Sequence, residues 1–340
     1  MQHKVPFLLM LLTLSLRISI ANADECTGNG GSQFAYPIVV DKSGGGKFTS
    51  VQSAIDSIPE ENHQWVKVQI NPGVYMEKVT IPKQKPYIFL EGQDRSVTTI
   101  TFDAHKRTDE SATFTSMAEN IVAKGITFKN SYNHPLLLKH ALSERKVLGV
   151  LQAVAARILG DKSPFFECGF LGLQDTLWDA GQSIYQACEI NVTAGAFSSQ
   201  YPYGYITAQG RGSSDDPSGF VFKGGTLFGN VRPYLGRAYG PYSRVIFQET
   251  TMNGDVVPQG WDAWKFLGKE ENFMYAEVNC KGPGSNTSNR VTWEKKLTPS
   301  QLQQFSLSYF IDQDGWISKL PMNNQDLIPP RECNSFSDRK

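Results

Sequence analysis

Four short polar segments stand in otherwise apolar, strand-like sequence and carry the side chains best suited to chemistry. They are residues 73–77, 152–155, 172–177 and 234–239. Asp175 supplies a carboxylate, which can transfer protons, Gln152 and Gln174 supply side-chain amides, and Arg237 supplies a guanidinium. Each segment alone has a structural explanation, such as a turn or a surface ion pair, so the four predict a site only in combination.

The elements that must position these side chains are short β-strands. A short apolar run, a small or cysteine turn residue and a second apolar run recur along the chain, and no linker divides it. Irregular repeats of about 20–50 residues are typical of solenoids. Strands of only about four or five residues favour a β-helix over helical repeats. A β-sandwich is the alternative, because it also has many short strands. The recurring units lie at residues 120–128, 164–170, 183–190, 219–227 and 243–247.

Two features of the sequence lie outside these recurring strand units. Lys4, an apolar stretch at residues 5–20 and the small residues at 21–23 predict a signal peptide over residues 1–23. The remainder, 24–340, is then a single secreted domain with its core at about residues 37–322 and no membrane anchor. Near the C-terminus, residues 298–305 predict a short helix on the outside of the solenoid, with Thr298 or Ser300 as its N-cap.

Composition excludes several classes of partner. The chain has 33 Lys and Arg against 33 Asp and Glu, so no strong field favours nucleic acid or an anionic membrane. The 5 cysteines form no CxxC or His/Cys cluster, and we expect no metal. Cys168 and Cys188 either pair or are buried apolar residues on stacked strands, and we favour burial. Asn191 and Asn286 begin glycosylation sequons that are usable if they are exposed.

At the four polar segments the chain resembles the plant pectin methylesterase (pectinesterase) family. The resemblance runs from about Phe48 to Leu320 and includes residues 205–209, 260–264 and 290–293. It implies an all-β fold, a single-stranded right-handed parallel β-helix of the pectin-lyase-like kind with short peripheral helices. It also implies hydrolysis of galacturonate methyl esters in pectin, that is methyl-esterified homogalacturonan, to pectate and methanol in the plant cell wall. No cofactor is implied, and a pectinesterase-inhibitor protein is a candidate partner.

The resemblance also assigns roles, position by position. Asp175 matches the general acid–base residue, which protonates the departing methoxide and later activates water. Gln152 and Gln174 match the oxyanion donors, and Arg237 matches the partner of a nucleophilic aspartate. Three further residues are expected to line the substrate groove: Thr113, Tyr239 and Trp264. Tyr239 stands where the family has tryptophan, which predicts weaker stacking on the sugar because the ring is smaller.

One departure from the family concerns the nucleophile. In the family, the segment that resembles residues 175–179 continues through another strand to an Asp-Phe-Ile-Phe-Gly motif, whose aspartate attacks the ester. Here Asp179 is followed by Ala180 and then directly by the Gly181 segment. The gap is about twenty residues, close to one solenoid coil, and a solenoid can lose one repeat while the others stay stacked. We therefore predict a shortened but folded β-helix in which Arg237 pairs with Asp175 instead.

The gap leaves several interpretations of activity. Asp179 is the nearest carboxylate in sequence, but its place at or beyond a turn predicts that it does not reach the same ester. The leading hypothesis is a pectinesterase of reduced competence, and the alternative is a catalytically inactive pectin-binding cell-wall protein. A pectate lyase is disfavoured because no acidic cluster for calcium lies near Arg237. An error in exon prediction would produce the same gap. Sequencing the transcript across Trp178 to Gly181 distinguishes a true loss of the coil from such an error.

Overall fold

The fold is built almost entirely from short parallel strands. A computed structural model describes residues 35–133, 151–194 and 203–320, so the predicted signal peptide lies outside the described residues. Within them the chain forms 23 strands, and every strand pair is parallel. The strands build three sheets, which we name A, B and C.

Sheet A has nine strands: β1 Ala35–Val40, β2 Val66–Ile70, β5 Ile88–Gly92, β8 Ile121–Lys124, β11 Ser163–Phe166, β14 Gln182–Gln186, β17 Gly219–Lys223, β20 Arg244–Gln248 and β23 Met274–Val278. Sheet B has seven: β3 Gly73–Met76, β6 Thr98–Phe102, β9 Thr127–Asn130, β12 Gly169–Gly172, β15 Glu189–Val192, β18 Thr226–Gly229 and β21 Thr251–Met252. Sheet C has seven: β4 Val79–Ile81, β7 Phe114–Ser116, β10 Ala156–Ile158, β13 Leu177–Asp179, β16 Tyr203–Gln209, β19 Arg232–Ala238 and β22 Trp261–Asp262.

From β2 onward the strands visit the sheets in a fixed rotation. Each coil of chain gives one strand to sheet A, one to sheet B and one to sheet C, and the next coil pairs with it in the same order. Connections that return to the same sheet in parallel are right-handed, because twisted strands pack back only that way. The chain is therefore a right-handed parallel β-helix, which confirms the predicted fold, and a sandwich of antiparallel sheets is excluded.

The corner between sheets A and B repeats one turn. Its first residue adopts the left-handed conformation, with φ of 51° at Glu167, 54° at Ala187 and 53° at Asn279. This conformation costs an L-residue about 1–2 kcal/mol, so stacking of identical turns in successive coils must offset it. Cys168 and Cys188 follow two of these turns, and both side chains are buried, as the sequence favoured, with no bond between them in this structure.

The interior is filled by aromatic rings that stack from coil to coil. Successive ring centroids lie 5.1 Å apart from Phe165 to Tyr185, 4.6 Å from Tyr185 to Phe222 and 4.3 Å from Phe222 to Phe247. Offset stacking at these separations stabilises aromatic pairs beyond the burial of their area. The stack holds neighbouring coils in register, and that register decides which polar side chains meet on the outside.

A second apolar cluster covers the outer face of sheet A. The C-terminal segment lays Phe310, Trp316 and Leu320 against residues of several coils, including Phe166 and Ile184. This segment contains a helix, α3 (Pro299–Gln303), whose N-cap is Thr298. The Thr298 hydroxyl accepts from the Gln301 amide at 3.3 Å, which decides between the two predicted caps.

Two further short helices are α1 (Val51–Asp56) and α2 (Thr108–Ser111). Glu77, in the first polar segment, lies at the N-terminus of α1 and accepts from the amides of Val51 and Gln52 at 2.8 and 2.9 Å. A carboxylate at this position satisfies helix amides that otherwise lack partners. The segment at residues 73–77 is therefore structural. In the described part of the chain, no helix has the length and hydropathy of a membrane span.

Candidate active site

Sheet C presents a row of polar and aromatic side chains on its outer face. Ala156, Ile158 and Leu177 point into the core, so the alternating residues Arg157 and Trp178 point outward. The row continues in register: Arg157 pairs with Trp178, Trp178 with Ala208, Ala208 with Arg237 and Arg237 with Asp262. We call this surface the site face, since residues 174 and 175 lead directly into its strand β13.

Asp175 and Arg237 form a buried ion pair at the site face. The Arg237 Nε donates to Asp175 Oδ1 at 2.7 Å, and Nη2 donates to Oδ2, so the pair is bidentate. Asp175 is 0% exposed and Arg237 is 7% exposed. Burial alone would lower the pKa of Arg237, but the Asp175 carboxylate outweighs it and the pKa is raised. The predicted pairing of Arg237 with Asp175 is thus confirmed, and it spans two coil steps across β16.

Aromatic rings surround the Arg237 guanidinium. Its Cζ lies 4.4 Å from the ring centre of Tyr205, 4.6 Å from that of Trp264 and 5.5 Å from that of Tyr239. The Tyr239 hydroxyl also donates to Asp175 Oδ2 at 3.1 Å. Burial and the Asp175 charge raise the pKa of Tyr239 to about 12. Cation–π contacts in a desolvated setting each contribute about 1–2 kcal/mol, so this shell fixes the orientation of the guanidinium.

The two glutamines lie beside the pair on neighbouring coils. Gln174 directly precedes Asp175, and the Ala153 amide, next to Gln152, donates to the Gln174 carbonyl at 3.4 Å. Both glutamine side chains are half-buried. This backbone contact places Gln152 and Gln174 on adjacent coils near each other, and their role as oxyanion donors stays a prediction.

Thr113 is placed differently from the other predicted residues. It is 0% exposed, and its hydroxyl donates to the Lys129 carbonyl at 2.9 Å. The backbone amide of Thr113 donates to the Val154 carbonyl, so Thr113 lies on the coil next to the one that carries Gln152. The hydroxyl is used inside the fold, and a role in lining the groove stays a prediction.

A second ion pair at the site face was not predicted from the sequence. Arg157 Nε donates to Asp179 Oδ2 at 2.7 Å, and its Cζ lies 4.5 Å from the ring centre of Trp178. Asp179 has a φ of 93°, outside the regions that L-residues ordinarily adopt. This strained residue lies where the sequence passes directly to Gly181. Its carboxylate is held by Arg157, whereas Asp175 is held by Arg237.

Tyr205 is another residue of the site face whose role was not predicted from the sequence. Its ring stacks on that of Tyr234 at 5.1 Å, and its hydroxyl donates to Asp262 Oδ2 at 3.2 Å. The outward spacing of Tyr203 and Tyr205 on β16 was the available signal.

These groups have the chemistry of ester hydrolysis. An oriented carboxylate can activate water or attack an ester, and nearby amides can donate to the oxyanion that forms. Aromatic rings can stack on the apolar faces of sugars. Among the described residues, no cluster of His, Cys, Asp or Glu side chains has the arrangement of a metal site.

Comparison with known proteins gives one consistent family. The model of the family described as Pectinesterase matches residues 37–194 and 178–314. Two Arabidopsis thaliana relatives, "Probable pectinesterase 55" and "Probable pectinesterase 29", are each 42% identical; the alignments cover 84% and 85% of this chain and 92% and 91% of those proteins. A solved pectin methylesterase from carrot is 25% identical with a TM-score of 0.67, over 84% of this chain and 97% of that one. The chain therefore belongs to the pectinesterase family of carboxylic ester hydrolases.

Proposed function

We propose that this protein hydrolyses the methyl esters of galacturonate in pectin, releasing methanol and leaving pectate, with Asp175 as its reacting carboxylate. Methyl-esterified homogalacturonan is then its substrate, bound along the site face. The observation that carries the proposal is the convergence of Asp175, Arg237, Tyr239 and Trp264 in a chain of this family. The aromatic rings would stack on sugar rings, and Arg237 orients the carboxylate.

The chemistry available to one carboxylate is narrower than that available to two. Asp175 can act as a general base that takes a proton from water, while Gln152 and Gln174 donate to the oxyanion on the ester. The proton then passes to the departing methoxide, which leaves as methanol. Without a second carboxylate to form a covalent intermediate, we expect turnover to be orders of magnitude slower than in a two-carboxylate enzyme.

A second candidate function is pectin binding without turnover. Asp175 is 0% exposed, and its two oxygens accept from Arg237 and Tyr239. An open cavity of about 500 Å³ lies beside α2, and none of the predicted site residues lines it. A carboxylate that is buried and fully engaged favours a protein that holds pectin without cleaving its esters.

The setting of this function is also proposed. A cell-wall location agrees with the plant pectinesterase relatives, and it requires that residues 1–23 act as a signal peptide and residues 24–340 as one secreted domain. Sequons at Asn191 and Asn286 are compatible with such a route. A pectinesterase-inhibitor protein that docks on the site face remains a candidate partner.

Methanol release and pectin binding, measured side by side, separate the two candidates. The purified protein is incubated with highly methylated pectin, and Asp175→Asn is compared with Asp109→Asn, which alters an exposed carboxylate. The first candidate predicts methanol from the wild type and from Asp109→Asn, with none from Asp175→Asn. Binding by all three proteins without methanol would favour the second candidate. Folding of Asp175→Asn is checked by circular dichroism.

A further inference from the structure

Two buried thiols meet in adjacent coils at the corner between sheets A and B. Cys168 lies just before β12, and Cys188 lies just before β15. The residues that follow them, Gly169 and Glu189, are paired in register. The residues that precede them, Glu167 and Ala187, adopt the same left-handed turn. Both cysteines therefore leave equivalent turns in the same direction, one directly above the other.

This arrangement meets the geometric requirement for a disulfide bond. Neighbouring strands lie about 4.8 Å apart, and in-register residues have their Cα atoms at about that separation. A disulfide bond needs Cα atoms about 4.4–6.8 Å apart. Cys188 Sγ donates to the Phe165 carbonyl at 3.4 Å, and Cys168 Sγ donates to the neighbouring Phe166 carbonyl at 3.4 Å, so both thiols reach the same strand, β11.

We propose that Cys168 and Cys188 form a disulfide bond when the chain folds in an oxidising compartment. Two S–H bonds break and one S–S bond forms, and the two electrons and two protons pass to a small-molecule or protein disulfide, which becomes two thiols. The proposal concerns a covalent modification and does not depend on catalysis by the site face.

The bond has to form while the coils are still coming together. Cys168 is 0% exposed and Cys188 is 4% exposed in the folded chain, which leaves no path for an oxidant. Burial also raises the pKa of the Cys188 thiol well above its ordinary value, so little reactive thiolate exists after folding. For the same reason, the bond once formed is shielded from reductants.

The position of the bond gives it a consequence for the site. The chain between Cys168 and Cys188 is one complete coil, and it carries Gln174, Asp175 and the strained Asp179. A bond between its two ends closes this coil into a covalent loop. Closing a loop removes conformational freedom from the unfolded chain and thereby favours the fold. The coil that positions Asp175 would be the one that is locked.

Cys280 provides an internal control. It lies at the same corner, after β23, but β23 is three strands from β14 in sheet A. That separation is about 14 Å, far beyond the reach of a disulfide bond. Of the three cysteines that the structure describes, Cys280 is therefore the one expected to keep a free thiol when the other two are oxidised.

Peptide mapping of the full-length protein tests the proposal. The protein is refolded with a mixture of reduced and oxidised glutathione, and a second sample is refolded with a reductant. Both are then unfolded, treated with N-ethylmaleimide and digested. We expect a peptide linked through Cys168 and Cys188 in the oxidised sample alone, with Cys280 labelled in both. Labelling of both Cys168 and Cys188 in the oxidised sample, or linkage of either one to another cysteine, would overturn the proposal.

Thermal unfolding of the wild type gives an independent measure, and cysteine variants serve as its controls. We expect the oxidised wild type to melt roughly 5 °C higher than the sample refolded with reductant. Cys280→Ser should keep this difference. Cys168→Ala and Cys188→Ala should each abolish it, even if the substitution itself lowers both melting temperatures. A difference that persists in Cys168→Ala would contradict the assignment.

Discussion

Asp175 and Arg237 form an ion pair across an intervening strand. Asp175 lies two residues before β13, Arg237 lies on β19, and β16 runs between these two strands in sheet C. The guanidinium satisfies both carboxylate oxygens, and Tyr239 adds a further donor. Two charges are thus buried together in a fold whose other interior side chains are mainly apolar. The pair has two consequences, one for stability and one for activity.

The stability consequence is tested by removing the cation. Arg237→Ala leaves the Asp175 carboxylate buried without its partner, and we expect the free energy of unfolding to fall by about 3–5 kcal/mol. Arg107→Ala removes an exposed arginine that also pairs with an aspartate, and it should change stability little. Urea denaturation of the two variants and the wild type measures both effects. Equal, small losses for both variants would show that the buried pair is not important for stability.

Tyr239 gives the fold a dependence on alkaline pH. Its pKa rises from 10.0 to about 12, so the folded state favours the neutral phenol. The resulting stabilisation is complete below the unfolded pKa and is lost as pH rises from about 10 towards about 12. We expect the melting temperature of Tyr239→Phe to fall less over this range than that of the wild type. Tyr203→Phe, on an exposed ring, is the control and should follow the wild type.

Trp264 should contribute to binding of the polysaccharide. Its ring lies 4.5 Å from that of Tyr239 and 4.6 Å from the Arg237 Cζ, so its loss removes stacking area and loosens the guanidinium. We expect Trp264→Ala to weaken binding of methylated oligogalacturonides by roughly tenfold, equivalent to about 1.4 kcal/mol. Leu267→Ala, at a residue that is 77% exposed in the same segment, should bind like the wild type. Isothermal titration calorimetry compares the three proteins, and equal affinities would remove Trp264 from the site.

The two sequons should differ in use. Asn286 is exposed in a turn, where its side chain accepts from the Ser288 amide at 3.0 Å. Asn191 is half-buried in sheet B, in register with Leu171 and Phe228 on either side. A glycan on Asn191 would have to stand among these side chains in the middle of a sheet. After secretion from a plant host, Asn286→Gln should lose the mass of one glycan and Asn191→Gln should lose none. The reverse pattern would contradict the placement of these strands.

The solenoid was predictable because its signal is local. Each unit, such as residues 164–170, contains its own strands and turn. The N-cap at Thr298 is equally local, because its hydroxyl accepts from the amide of Gln301, three residues later. The pairing of Asp175 with Arg237 was also predictable once the family resemblance implied that the arginine's usual partner is absent.

Contacts between coils were harder to predict, because they depend on register that no single segment encodes. Arg157 and Asp179 meet only because β10 and β13 are neighbours in sheet C. Glu77 stands in a polar segment that resembles a site, yet its carboxylate binds the N-terminus of α1, which precedes it in sequence. The buried hydroxyl of Thr113 depends in the same way on a carbonyl of a later strand. Register was also needed to place Cys168 above Cys188.

The most direct test of the central claim is the number of methanol molecules released per protein molecule. Purified full-length protein, at a concentration high enough to detect slow turnover, is incubated with highly methylated pectin, and methanol is counted over time. If Asp175 serves as the reacting carboxylate, release continues linearly well beyond one equivalent and is absent in Asp175→Asn. Folded wild-type protein that binds pectin and releases no methanol above the Asp175→Asn background would contradict the claim.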